Sequence, residues 1–316
     1  MKTNRIFKMM KLSSLSIYET ADTRHSLNKF ALCSRLTTVF IFALSSFIFI
    51  SCSQDEVLEQ DSLKDTPLTI ASAGVAELTT RAIIEGQLIG RMEEPIVMSV
   101  WVEGSGDNYN AKNIEWINDG GYWYTNNTVL YAGENQQKIY ALYPYCEGAT
   151  EDGKIAINAT EQADYLIAKQ NLIDENPIHL TMRHAFAKLS LMPTFGTEAG
   201  GLEIVSIEVK NMYASGTLNI KEDTWTYQGE ATATLAMTNH EVLVIPMEVC
   251  ESFPIVITMN DGRVFKATIS LAAVGNELKS NSQYNIRLQI GQDKVFVGDI
   301  TAAPWVAENG GNLETE

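Results

Sequence analysis

Tyr284-Asn285-Ile286-Arg287-Leu288-Gln289-Ile290 places a large apolar side chain at every second position and a polar one between. Successive side chains of a strand point to opposite faces, so this stretch is a strand with one buried face. Just upstream, Phe265, Ala267, Ile269 and Leu271 alternate in the same way with Lys266, Thr268 and Ser270. Farther back the pattern recurs at Ile96, Met98, Val100 and Val102, and at Leu189 and Leu191 beside Lys188 and Ser190. It recurs again where Val205, Ile207 and Val209 stand against Ser206, Glu208 and Lys210. Turn residues fall between these runs, at Asp119 to Gly121, Asp152-Gly153, Gly200-Gly201 and Asn260 to Gly262. No comparably long segment beyond residue 82 carries a helical stripe, so the chain reads as all-β, built of antiparallel β-sandwiches rather than as an α/β enzyme. The polar, Gly-containing interval Thr194 to Gly201 divides the body into two sandwiches in series, 82–195 and 196–316. Each holds about 115 residues, enough for a core of its own.

Length and composition agree with a folded body. The chain has 316 residues, 45% apolar and 20% charged, which excludes disorder as the main state. Its formal charge is −16, and seven basic against two acidic residues lie before residue 52, which leaves the rest at −21. Nucleic-acid binding is dominated by Lys and Arg neutralising phosphates, so a body this acidic excludes nucleic acid as the expected partner.

The basic start has a different purpose. Leu36 to Ile50 is a 15-residue, largely apolar run without a charge, preceded by Lys29 and Arg35. A membrane span needs roughly 20 apolar residues, so 1–51 reads as a signal peptide. Met9 and Met10 offer alternative starts within it. The run ends in Phe49-Ile50-Ser51-Cys52, which resembles a bacterial lipobox and makes Cys52 the acylated residue at the head of the mature chain. Ser53-Gln54-Asp55-Glu56 resembles the acidic export signal of surface lipoproteins of Bacteroidota. Residues 52–81 then form an acidic tether followed by a strand, with Leu68 and Ile70 alternating. Within the tether, Asp61-Ser62-Leu63 matches an O-glycosylation acceptor of the same bacteria.

Catalytic motifs are absent. The sequence has no Gly-x-Ser-x-Gly elbow, no P-loop and no His-Glu-x-x-His, and Tyr109 stands where a dinucleotide fingerprint opened by Gly104 and Gly106 needs its third glycine. The expectation is no enzyme, no cofactor and no metal. His179 and His184, five apart, fall on opposite faces of a strand. Cys146 and Cys250 stand about a hundred residues apart and read as two separate thiols, with one disulfide as the alternative. Between Tyr109 and Tyr145 aromatics cluster, with Trp116, Tyr122, Trp123 and Tyr124 at the centre. They are a candidate ligand platform for glycan; aromatics also favour strands and cores, so packing stands beside that reading.

Several short motifs occur in a telling order. They are Thr80-Arg81-Ala82, Trp123, Tyr140-Ala141-Leu142-Tyr143-Pro144 and Asp164-Tyr165-Leu166-Ile167-Ala168. His184-Ala185-Phe186-Ala187-Lys188-Leu189, Tyr284-Asn285-Ile286 and Pro304-Trp305 follow. With the lipobox, this order resembles the fimbrillin-like lipoproteins of Bacteroidales, whose better-known members are type V pilins. The resemblance implies two transthyretin-like β-sandwich domains and a lipidated precursor at the outer membrane surface. It also implies cleavage between Arg81 and Ala82 by an arginine-specific protease, which removes an N-terminal strand. Other pilin subunits then become the partners, one giving a strand to the vacated groove. On this reading residues Val295 to Val306 are the candidate donor strand; the alternative is that they close their own sandwich, with Trp305 in its core. The two functions that stand are a fimbrial subunit or accessory pilin with a role in adhesion, and a monomeric surface lipoprotein that binds glycan.

Overall fold

The structure, a computed structural model, describes residues 66–75, 95–104, 106–119, 123–126, 128–133, 137–171 and 176–305. Cys52, Arg81, Ala82 and Tyr122 lie outside them, as do the run 36–50 and the tether as far as residue 65. The N-terminal half supplies β1 (Thr66–Pro67), β2 (Ile70–Val75), β3 (Ile96–Glu103), β4 (Ala111–Asn118) and β5 (Trp123–Tyr124). It continues with β6 (Tyr131–Ala132), β7 (Lys138–Tyr143), β8 (Lys154–Asn158), β9 (Leu166–Asn171) and β10 (Ile178–His184). The second half supplies β11 (Ala187–Phe195), β12 (Ile204–Met212), β13 (Ser215–Asn219), β14 (Thr224–Gln228) and β15 (Ala233–Ala236). Last come β16 (Glu241–Val244), β17 (Ser252–Met259), β18 (Val264–Ser270), β19 (Ser282–Ile290) and β20 (Val295–Pro304). Among the described residues the only helical turns are short 3-10 pieces, so the fold is all-β as the periodicity predicts.

In the first half, seven strands form one sheet in the order β2-β10-β9-β7-β3-β4-β5. The sheet curls until its edge strands β2 and β5 lie against each other, and the walls enclose a core that includes Met98, Val100, Trp116, Trp123, Leu180 and Met182. The second half is a sandwich of two four-stranded sheets, β16-β11-β19-β20 and β15-β12-β17-β18. Tyr284, Ile286, Leu288 and Ile290 of β19 are each at most 1% exposed, as the opening stretch requires. Val205 departs from its alternation and is 66% exposed, because the β12–β17 register slips between Ile204 and Ser206. The β17–β18 hairpin turns at Gly262, whose φ of 85° falls in the left-handed region that glycine enters without strain.

The predicted boundary at 195/196 is corrected by the sheet order. β11 lies inside the second sandwich, parallel to β19 and antiparallel to β16, so the change of sheet falls at Ala185-Phe186. The interval 194–201 is instead the connection from β11 in one sheet to β12 in the other. Polar, Gly-containing composition marks a solvent-facing connection, whether or not it separates domains.

The two halves are also joined laterally. A three-stranded sheet pairs β8 of the first half with β13 of the second, and β14 follows it. Under it lies a third core, with Trp101, Tyr140, Leu142, Ile155 and Ile157 from one side and Phe186, Leu218, Ile220, Ile245 and Trp305 from the other. This explains why β3 buries both faces: Met98 and Val100 fill the first core, and Trp101, at 0% exposure, fills the junction.

Candidate functional site

Residues 66–75 occupy the edge of the seven-stranded sheet. β1 pairs with β6, and among the described residues β2 pairs with β10 alone, in parallel, from Ile178↔Ile70 to Met182↔Val75. The weak alternation read around Leu68 and Ile70 is a true strand period, with Leu68 and Ile70 buried and Pro67, Thr69 and Ala71 exposed; a register slip then puts Ser72 opposite His179 and returns Ala73 to the core opposite Leu180. Leu68 and Ile70 enter the first core with Ile178, Leu180 and Met182. Burying a Leu or Ile side chain contributes about 1.5–3 kcal/mol, so these two supply most of the apolar hold on the segment.

Polar contacts fix the rest. The Leu68 amide donates to Leu130 O at 2.8 Å, and the Ile178 amide donates to Thr69 O at 2.9 Å. Asn176, just before β10, accepts on Oδ1 from the Thr69 amide at 3.0 Å and donates from Nδ2 to Pro67 O at 2.9 Å. Ser72 Oγ and His179 Nδ1 share a hydrogen bond of 2.8 Å. On the other side of the strand, His184 Nδ1 donates to Asp164 Oδ2 at 2.7 Å, so the two histidines do serve different places.

At the other terminus, β20 pairs with β19 from Ser282↔Pro304 to Ile290↔Val295 and forms the edge of its sheet. Trp305 follows it and stacks on His184, with ring centroids 3.5 Å apart and planes 8° from parallel. Its amide donates to Asn281 O at 2.8 Å, while Asn281 Oδ1 accepts from the His184 amide at 3.1 Å. The Lys188 ammonium lies 5.6 Å from the Trp305 ring and 2.8 Å from a Glu241 carboxylate oxygen. Three separated motifs therefore meet at one place: Asp164, His184 with Lys188, and Trp305. In this structure β20 closes its own sheet, and Trp305 packs in the junction core.

Above the same core, Tyr140 OH donates to a Glu103 oxygen at 3.0 Å, and Lys221 Nζ from the second half lies 3.0 Å from the other. Burial pushes the Tyr140 phenol up to about 12, helped by its hydrogen bond to Glu103 and that carboxylate's charge. Burial also pushes the Glu103 carboxyl up, but the Lys221 and Tyr140 hydrogen bonds, with the charges of Lys221 and Lys138, outweigh it and hold it below its ordinary value. A phenol raised on folding stabilises the native state in full below its ordinary value near 10, and the contribution disappears as pH climbs through 12. Thermal unfolding followed from pH 8 upward should show this alkaline loss, and Tyr140→Phe should flatten it; an identical slope in the variant would contradict the assignment. The depressed carboxyl acts at the opposite end, its contribution present above the carboxylate range and lost on acidification through the folded value.

The aromatic platform is corrected. Trp116 and Trp123 are 3% and 5% exposed and belong to the first core, so the two largest rings present no face to solvent. Both sit on strands, β4 and β5, whose inward positions favour large aromatic side chains. Tyr124, on the opposite face of β5, is half-buried. Cys146 and Cys250 are both free thiols, and burial pushes the Cys250 thiol up. Among the described residues no group of three His, Cys, Asp or Glu side chains could hold a metal ion.

Comparison with solved structures shows the same fold elsewhere. A candidate cell adhesion protein of Bacteroides ovatus is 18% identical with a TM-score of 0.60, over 77% of this chain and 99% of that one. Another, of Bacteroides uniformis, is 17% identical with a TM-score of 0.56, over 68% of this chain and 93% of that one. No curated protein matches the chain. A family model described as fimbrillin-like matches residues 80–305, well over half the chain, and the chain belongs to that fimbrillin-like family.

Proposed function

We propose that this protein is a surface-exposed fimbrial subunit or accessory pilin, carried to the outer membrane by lipid on Cys52 and released for assembly by cleavage after Arg81. Membership of the fimbrillin-like family supports a pilin-like role at the cell surface and a structural rather than enzymatic one. The observation that carries the finer reading is the place of residues 66–75. They form an edge strand that ends before Arg81, with two large side chains in the core of the half that follows. Cutting the chain after residue 81 leaves that strand held by non-covalent contacts alone. Its departure exposes a row of backbone groups on β10 and an apolar groove, which is a template for strand addition from another subunit. Adhesion is the role such a filament serves.

Two measurements on producing cells test this. Palmitate labelling should mark the wild type and not Cys52→Ala, and N-terminal sequencing of protein sheared from the surface should read Ala82-Ile83-Ile84-Glu85. Electron microscopy should find the protein in filaments, and Arg81→Ala should leave it cell-bound and out of them. Filaments that form normally from the Arg81→Ala protein would overturn the maturation step.

A further inference from the structure

The groove under residues 66–75 is selective, because its occupant is held in one register from outside the strand. Asn176 Oδ1 accepts from the Thr69 amide at 3.0 Å and from Thr69 Oγ1 at 3.1 Å. Its Nδ2 donates to Pro67 O at 2.9 Å and to Thr66 Oγ1 at 3.2 Å. Two of these bonds go to main-chain atoms that any residue supplies. The Leu68 amide to Leu130 O and the Ile178 amide to Thr69 O are main-chain bonds as well. An entering strand of any sequence therefore meets the same register, and its side chains fall into fixed slots.

Those slots are uneven. Leu68 and Ile70, 5% and 3% exposed, fill two large ones. After the register slip between Ile178 and His179, Ser72, 7% exposed, pairs with His179 on the other face and shares a hydrogen bond with it, and Ala73, 4% exposed, takes the inward place opposite Leu180. The required pattern is large apolar, any, large apolar, any, hydroxyl, small. Residues 295–306, the stretch read as a donor, meet it poorly. Only Val295 and Val297 place two large apolar side chains two apart there. In that register Asp299 stands in the serine slot and Ile300 in the alanine slot. A carboxylate replaces a buried hydroxyl, and a branched side chain is forced where a methyl fits, both of which are costly. In the structure, moreover, β20 is paired along its length with β19 and held at its end by Trp305 on His184.

We propose that the groove vacated by residues 66–75 accepts a strand from a different protein, one carrying large–any–large–any–Ser/Thr–small, and rejects residues 295–306 of a second copy. The inference rests on the strand-exchange reading and deepens it: the chain joins a mixed assembly as an acceptor and does not polymerise on itself.

The test uses the full chain with the recognition site of a sequence-specific protease inserted after residue 79, cut in solution and offered labelled peptides. A peptide of residues 66–75 should exchange into the groove. A peptide of residues 295–306 should bind at least about a hundredfold more weakly, since two slots are mismatched. The same peptide carrying Asp299→Ser and Ile300→Ala should regain most of the difference. Asn176→Ala in the protein should weaken the 66–75 peptide by about tenfold, through lost main-chain hydrogen bonds. Equal binding of the 66–75 and 295–306 peptides would overturn the inference and leave strand exchange standing. Exchange of no peptide at all, by protein whose circular dichroism is unchanged after cutting, would overturn strand exchange and this inference with it.

Discussion

Trp305→Ala is expected to destabilise the chain by about 3–5 kcal/mol, the usual cost of emptying a large aromatic site in a core. Trp305 is 8% exposed and lies flat on His184 in the core that both halves line. Its loss opens a void in the core that also holds Trp101 and Phe186, and it takes away the ring stacked on His184, which bonds Asp164. The shape of the transition is as informative as its shift. Because β8 and β13 share a sheet and the third core spans both halves, urea unfolding followed by circular dichroism should remain one transition, moved to lower urea. Two separated transitions, or a change below about 1 kcal/mol, would show that the junction does not bind the halves together.

The second large effect is expected at the N-terminal edge. Ile70→Asp removes a side chain worth about 2 kcal/mol of burial and puts an uncompensated carboxylate into a site 3% exposed. The cheapest response is for residues 66–75 to leave the sheet, since an edge strand gives up pairing on one side only. Hydrogen exchange should then be faster by about a thousandfold, equivalent to about 4 kcal/mol, at the Leu68 and Ile178 amides that bond to Leu130 and Thr69. Amides of β17 and β19 should be unaffected. Ala71→Asp, one position along on the exposed side, should change little. Retained protection at Leu68 in the Ile70→Asp protein would mean that the strand is held by something other than its core side chains.

Period-two alternation exposed the strands whose two faces differ. β18 and β19 are of this kind, and the sequence places both, because one face meets the sandwich core and the other meets water. The same signal misleads where both faces are buried: nothing in residues 96–103 announces that Trp101 serves a second core. β13 and β14 went unread because Ser215-Gly216-Thr217 and Thr224 to Gln228 are mostly small or polar, and their place is set by pairing with β8, distant in sequence. The domain boundary failed for a related reason. A buried crossing such as Ala185-Phe186 has core composition, whereas the solvent-facing turn at 194–201 has the composition of a linker. Of the candidate site, the alternation of Leu68 and Ile70 was legible, since it is local. Asn176 and its bonds to Pro67 and Thr69 were not, because a side chain that reads another segment's backbone leaves no pattern in its own neighbourhood.

The parallel ladder of β11 and β19 has a bearing on how the chain acquires its shape during synthesis and secretion. Ala187 pairs with Ser282 and Phe195 with Ile290, so β11 waits for almost the whole remaining chain before its central partner exists. β8 likewise waits for β13. Contacts this far apart in sequence form late and slowly, because the intervening loop must close before any contact rewards it. The emerging first half therefore has no complete native state of its own, and it presents β8 and β11 unpaired to its surroundings for as long as the second half is still arriving. Binding by a holding chaperone over that interval, and a folding yield that falls steeply as chain concentration rises, are what this topology demands of its host.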